Sequence, residues 1–208
     1  MYTVELISTR DAKKFVEKNH YLKRWSGASY VFGMFDKEKL IGVVSFGRPF
    51  GRLVGQSIST KFTNYDVYEL KRVCIAKNIS LSKNKVNMFV EECINTLKIM
   101  DKKAKAVVTY TIPEKDVNYQ VFNTNDSWMN QGKIAKKGRN YIHQINGEKL
   151  CDRTCAERYG TICEIQLRQI DITYKRKMLP PKERFVRILK ENQFDKIFDS
   201  FKHTIIEK

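Results

Sequence analysis

Residues 67–100 read VYELKRVCIAKNISLSKNKVNMFVEECINTLKIM, and this stretch decides the fold. Val67 to Ile75 alternates side-chain character with a period of two, which predicts a β-strand. Val86, Phe89, Val90, Cys93, Ile94 and Leu97 then recur at helical spacing, which predicts one buried face of a helix running to about Met100. Ser80 or Ser82 stands where its N-cap belongs. The connection between strand and helix has no Gly-x-Gly-x-x-Gly and no Walker lysine loop, which argues against the common dinucleotide and P-loop folds.

Upstream, Val4 to Ser8 reads as a strand and Thr9 to Lys18 as a helix capped by Ser8 or Thr9. Asn19 to Gly27 is a polar, aromatic loop, and Gly47 to Thr63 a long one. Tyr30 to Phe35 and Leu40 to Phe46 flank the turn Asp36 to Lys39, which predicts a β-hairpin. Downstream, Ala104 to Thr111 reads as a buried strand stopped by Pro113, and Val117 to Phe122 as a helical turn. Trp128 to Lys133 and Asn140 to Ile145 read as a second hairpin, and Lys182 to Leu189, after Pro180 and Pro181, as a helix. The expected architecture is a mixed α/β domain over residues 1–150, with a basic extension, 151–208, packed on it.

The chain has 208 residues, 42% of them hydrophobic, enough for one domain with a sizeable core. Lys and Arg number 39 against 23 Asp and Glu, a formal net charge of +16 that attracts polyanions, nucleic acid first. No stretch approaches the roughly 20 apolar residues of a membrane span, and the N-terminus lacks an apolar signal core, so a cytoplasmic location is expected. Five cysteines, an odd number, read as reduced thiols.

Several short blocks occur in a telling order: Asn19-His20-Tyr21-Leu22-Lys23-Arg24-Trp25, Phe32-Gly33-Met34-Phe35, residues 41–49 (IGVVSFGRP), residues 68–75 (YELKRVCI) and Tyr119-Gln120. Together they resemble the Mom family of phage DNA-modification proteins, over roughly residues 19–145, on a GNAT-like acyltransferase fold. The resemblance implies a mostly antiparallel sheet with a splayed central strand pair. It also implies an enzyme that converts adenine in duplex DNA, flipped from the stack, to a carbamoylmethylated form that hides phage DNA from restriction. Acetyl-CoA or a related acyl donor is the implied cofactor. The exocyclic amine of adenine is a poor nucleophile, so a divalent metal such as iron, or an unusual donor, would assist. One departure stands out: the family carries an acidic residue before the proline that ends the fifth strand, where this chain has Ile112, with Glu114 or Asp116 as substitutes.

His20 and Tyr21 read as base, metal ligand or proton donor, against a plain helix cap for His20. Alternation puts Glu69, Lys71 and Val73 on one face of the strand and Leu70, Arg72 and Cys74 on the other. Arg72 could grip an anion with both arms of its fork, and Glu69 could act in catalysis or in an ion pair. Tyr119 occupies the place where, by resemblance, a tyrosine protonates the departing thiolate. His20, Tyr21, Arg72 and Tyr119 are expected to line one pocket. Val73 and Ile75 on the strand, with Ser82, Lys83, Asn84 and Lys85 at the helix start, are the expected donor-binding residues. Lys23, Arg24, Arg48, Arg52, Lys136, Lys137 and Arg139 are the expected DNA contacts, joined by a basic tail from Lys175 to Arg187. Cys151 and Cys155, with Cys163 and His143, lack the second paired motif of a zinc site. The alternatives are an ordinary GNAT N-acetyltransferase acting on a protein, tRNA or small-molecule amine, and a non-catalytic nucleic-acid-binding module.

Overall fold

The computed structural model describes residues 2–113, 119–134 and 139–189, without the side chains of Arg139 and Arg153. The deciding stretch forms as expected: β4, Val67–Ile75, leads into α2, Lys83–Met100. Ser82 is the N-cap, its Oγ accepting the Lys85 N–H at 3.3 Å. All six apolar residues of the expected stripe are buried.

Before them come β1 (Tyr2–Leu6), α1 (Thr9–Asn19), β2 (Tyr30–Asp36) and β3 (Lys39–Gly47). After them come β5 (Ala106–Thr111), α3 (Tyr119–Asn123), β6 (Met129–Lys133), β7 (Arg139–His143), β8 (Lys149–Cys151), α4 (Asp152–Tyr159), α5 (Glu164–Ile170), β9 (Tyr174–Met178) and β10 (Glu183–Ile188). A seven-stranded sheet has the order β1-β2-β3-β4-β5-β10-β6, and β8-β7-β9 form a second, three-stranded one. The pairs from β1 to β4 are antiparallel, whereas β4 and β5 run parallel.

Two compact units result: residues up to Gln131 with the described residues from Arg184 onward, and Gly132–Glu183. The boundary expected at residue 150 thus falls inside the second unit. In the first unit, α2 and α3 cover one sheet face, where Phe46, Leu70, Val73, Phe89, Ile94 and Phe185 share a core. On the other face α1 packs Ala12 and Val16 onto Val31, Val43 and Cys74, and the segment with Ile58 and Phe62 covers Val67, Val108, Val186 and Ile188.

Two expected elements are corrected. Where a helix was expected over 182–189, Glu183–Ile188 form a strand, β10. It lies between β5 and β6 with Phe185 buried on one face and Val186 and Ile188 on the other, and so short a run buried on both sides reads equally well either way. The second hairpin does not form either, because β6 joins the large sheet while β7 pairs with β8 and β9.

A third correction governs the site. The β3–β4 register runs Ser45↔Arg72 and then Phe46↔Leu70, so Lys71 is the extra residue of a bulge. The bulge breaks the expected alternation. Tyr68, Leu70 and Val73 all enter the α2-side core, while Cys74 enters the α1-side core.

Candidate active site

Where α1 ends, His20 is its C-cap and is buried. Its Nδ1 accepts the Leu22 N–H at 3.1 Å, and its ring stacks on Tyr21 with centroids 4.5 Å apart. An acceptor Nδ1 in a neutral ring leaves the proton on Nε2, so His20 is set up as a hydrogen-bond donor. Burial, and then the Arg72 cation, hold its pKa down to about 4. The neutral form is therefore favoured by folding. Stability should fall as pH drops from 6.5 to about 4, because the unfolded chain binds a proton that the folded one refuses. Urea unfolding at pH 7 and pH 4.5 should show His20→Gln losing less stability on acidification than the parent. Equal losses would contradict this assignment.

Arg72 anchors the same loop. Its Nε and Nη2 donate to the Arg24 carbonyl at 3.2 and 3.1 Å, and its Nη1 to the Lys71 carbonyl at 2.6 Å. The fork expected to grip a ligand is thus closed on main-chain oxygens, and it pins the 20–28 loop to the central strand. The loop approaches closely: a Cβ at Gly47 would stand 2.8 Å from the Gly27 carbonyl oxygen.

Beside Arg72, Lys71 is the residue that sequence reasoning missed. Its side chain is 1% exposed, and its Nζ lies 2.6 Å from Glu69 Oε2 and 3.9 Å from the centre of the Phe50 ring. Burial pulls the ammonium below the usual lysine range, and Glu69 opposes the shift. Glu69 therefore sits in an ion pair across the strand irregularity, with Lys71 and not Arg72 as partner. A lysine inside a strand with apolar neighbours was the available signal, but only the bulge explains its burial.

Tyr119 lies elsewhere. Its ring packs edge-on against Phe185, 5.7 Å between centroids, within the α2-side core, and its hydroxyl is 3.4 Å from Asn123 Oδ1. The expected single pocket is corrected accordingly: His20, Tyr21 and Arg72 gather on the α1 side of the sheet, and Tyr119 on the other. The bulge is the physical reason: Leu70 faces the α2 side, and the extra residue Lys71 turns Arg72, with Cys74, to the opposite face.

Between the two faces β4 and β5 part. Their parallel register ends at Glu69↔Val108. Thr109 Oγ1 reaches the Leu70 carbonyl at 3.2 Å, and Thr111 Oγ1 is buried without a hydrogen-bond partner. Past this point Val73 and Ile75 turn their side chains to the α2-side core, so a bound donor would meet their main chain. Ser82, Lys83, Asn84 and Lys85 are exposed at the start of α2. Lys83 and Asn84 border a cavity of about 380 Å³ with Asn87, Thr124, Asn125 and Ser127. A strand edge next to a helix N-terminus with lysines suits a long, pyrophosphate-bearing thioester.

The expected DNA contacts divide. Lys23, Arg24 and Arg52 are exposed. Arg48 is corrected: it pairs with Asp101 at 3.2 Å, donates to the Tyr65 carbonyl at 2.7 Å and lies over the Tyr68 ring, so it joins structural elements. Lys136, Lys137 and the Arg139 side chain lie outside the described residues. Of the basic tail, Lys175 and Lys177 are exposed on β9, Arg176 is exposed there but paired with Glu164 at 3.2 Å, and Arg187 is tied to Glu91.

Among the described residues no three His, Cys, Asp or Glu side chains gather as a metal site. His20 Nδ1 and Glu69 are already engaged, and Ile112 is buried. Glu114 and Asp116 lie outside the described residues. The described residues do not fit an iron centre. In the second unit His143 pairs with Asp171 at 2.9 Å and Cys155 is buried in that unit's core. No described helix is long and apolar enough to cross a membrane.

A family model described as the Mom protein family matches residues 1–198. No curated protein matches. Among solved structures, the ribosomal-protein-S18-alanine N-acetyltransferase from Escherichia coli is similar, with a TM-score of 0.50 and 11% identity over 92% of this chain and 98% of that one. FeeM, an N-acyl amino acid synthase from uncultured soil microbes, is similar at a TM-score of 0.51 and 12% identity, over 92% of each chain. At these identities the likeness concerns the fold, which is of the GNAT acyltransferase type.

Proposed function

We propose that this chain, which belongs to the Mom protein family, is an acyltransferase-type enzyme that derivatises the exocyclic amino group of adenine in DNA and so protects phage DNA from host restriction. The observation that carries the reading is the family match over residues 1–198 on a GNAT-type fold.

Acetyl-CoA or a related acyl-CoA is the proposed donor, which supplies an activated acyl carbon when bound. Ser82, Lys83, Asn84 and Lys85 would hold its phosphates, and the β4 main chain along Val73 and Ile75 its pantetheine arm. The chain's own groups divide the remaining work. Arg72 positions the 20–28 loop, neutral His20 offers a hydrogen-bond donor, and the Glu69 carboxylate, held by Lys71, would accept the proton that the amine loses as its nitrogen bonds to the acyl carbon and the thiolate departs. Tyr119, whose ring packs on Phe185 on the α2 side, is the proposed donor of a proton to the departing thiolate. Lys23, Arg24 and Arg52, and Lys175 to Lys177, are the proposed phosphate contacts, in keeping with a net charge of +16.

Mass spectrometry of nucleosides from DNA of expressing cells tests the reading, with a heavier adenine nucleoside expected. Acetyl-CoA should raise the melting temperature of the purified protein by mass action, and Lys83→Glu should shrink the shift. Soluble protein that responds to acetyl-CoA yet leaves DNA unmodified would point to the ordinary N-acetyltransferase instead. Duplex DNA affinity should drop by orders of magnitude between 50 and 200 mM salt, on the scale of about 10³ for several phosphate contacts.

A further inference from the structure

Arg184 belongs to β10, on the sheet face that α2 does not cover, in line with Val186 and Ile188. Its Nε and Nη2 are buried and have no hydrogen-bond partner among the described residues. In a guanidinium those two N–H groups point the same way and form a fork that matches two oxygens of one oxyanion. Across the adjacent strand stands Tyr110, which feels both Arg184 and Glu69 electrostatically, and beyond it the Glu69–Lys71 pair. Tyr110, Glu69 and Arg184 thus lie on one face of the neighbouring strands β4, β5 and β10, which also carries the apolar Val67, Val108 and Val186. Among the described residues on that face no free carboxylate neutralises the fork: Glu69 is engaged by Lys71, and the neighbouring Arg187 has its own carboxylate in Glu91. A buried cation with two unsatisfied donors is costly unless a ligand completes it.

We propose that Arg184 is an anion-binding residue of the acceptor site, whose Nε–Nη2 fork takes two oxygens of a phosphate group on the nucleotide that presents the target base. The nucleotide part rests on the DNA-modification reading above; the phosphate site does not. The donor's own phosphates are a poor match, because Ser82 to Lys85 stand at the start of α2, which covers the opposite face.

The test is thermal unfolding of the full chain and of Arg184→Met and Arg184→Lys, with inorganic phosphate, deoxyadenosine 5′-monophosphate, deoxyadenosine or CoA. The parent should be stabilised by phosphate and more strongly by the nucleotide. Without ligand, Arg184→Met should melt no lower than the parent, since an uncompensated buried cation is gone. It should lose the phosphate and nucleotide shifts and keep the CoA shift. Arg184→Lys keeps the charge without the fork and should weaken the nucleotide about tenfold or more. The proposal is overturned if phosphate stabilises no form, if Arg184→Lys binds as the parent does, or if Arg184→Met melts well below the parent while keeping its phosphate shift. Arg184-dependent binding of phosphate, with no gain from the nucleoside part, would uphold the anion site and overturn the adenine-nucleotide acceptor.

Discussion

Glu69→Leu is expected to cost about 3–5 kcal/mol of stability at pH 7, the range for breaking a buried ion pair from one side. The Lys71 side chain is 1% exposed, and Glu69, 2.6 Å away, is the carboxylate that pairs with it. Remove Glu69 and an ammonium stays in the sheet's interior with the Phe50 ring beside it and the like charge of Arg72 acting on it. For a chain of this size the melting temperature should fall by roughly 10 °C. The double variant Glu69→Leu, Lys71→Met should recover most of the loss, since replacing both charges removes the desolvation penalty with the pair. The pH dependence has a definite sign. Burial already lowers the Lys71 pKa, and without Glu69 it falls further. The unfolded lysine then binds its proton where the folded one does not, so the single variant should regain stability as pH rises from 7 towards 10. Urea unfolding of the parent, single and double variants at pH 7 and 9.5 decides it. A loss below about 1 kcal/mol, or no recovery in the double variant, would show that the pair is solvated and interchangeable.

Arg72→Ala is expected to lower DNA modification by about a hundredfold or more while the protein stays folded, as a small misplacement of positioned groups does. Arg72 acts through the Arg24 carbonyl, so it is a positioning residue, and its loss lets the 20–28 loop with His20 and Tyr21 drift from β4. A second readout separates this from general damage. The Arg72 cation helps to hold the His20 pKa near 4, after burial. In Arg72→Ala the His20 titration, followed by NMR, should move up yet stay below 6.5. In Arg72→Lys the titration should stay low, because the charge remains, while modification is still lost, because an ammonium cannot place two parallel donors on one carbonyl. Full activity in Arg72→Lys would mean that only the charge matters.

Much of this was legible in the chain itself. The α2 stripe from Val86 to Leu97, the Ser82 cap, the first hairpin and the strand Val67–Ile75 all follow from neighbours two to four residues apart, and such patterns survive any tertiary arrangement. The acyltransferase-type fold followed from the order of those elements and from the blocks around His20, Tyr68–Ile75 and Tyr119. What the tertiary structure alone decided has one physical source, the pairing of segments distant in sequence. Whether Lys71 is a bulge depends on how β4 meets β3, and that single extra residue put Arg72 with His20 and parted it from Tyr119. Arg48 became structural only because Asp101, at the far end of α2, folds back beside it. Glu183–Ile188 became a strand only because β5 and β6 left a place between them, and only there does Arg184 stand beside Tyr110 with its fork unfilled. Local periodicity says which residues leave the water; the register between strands says which of them meet.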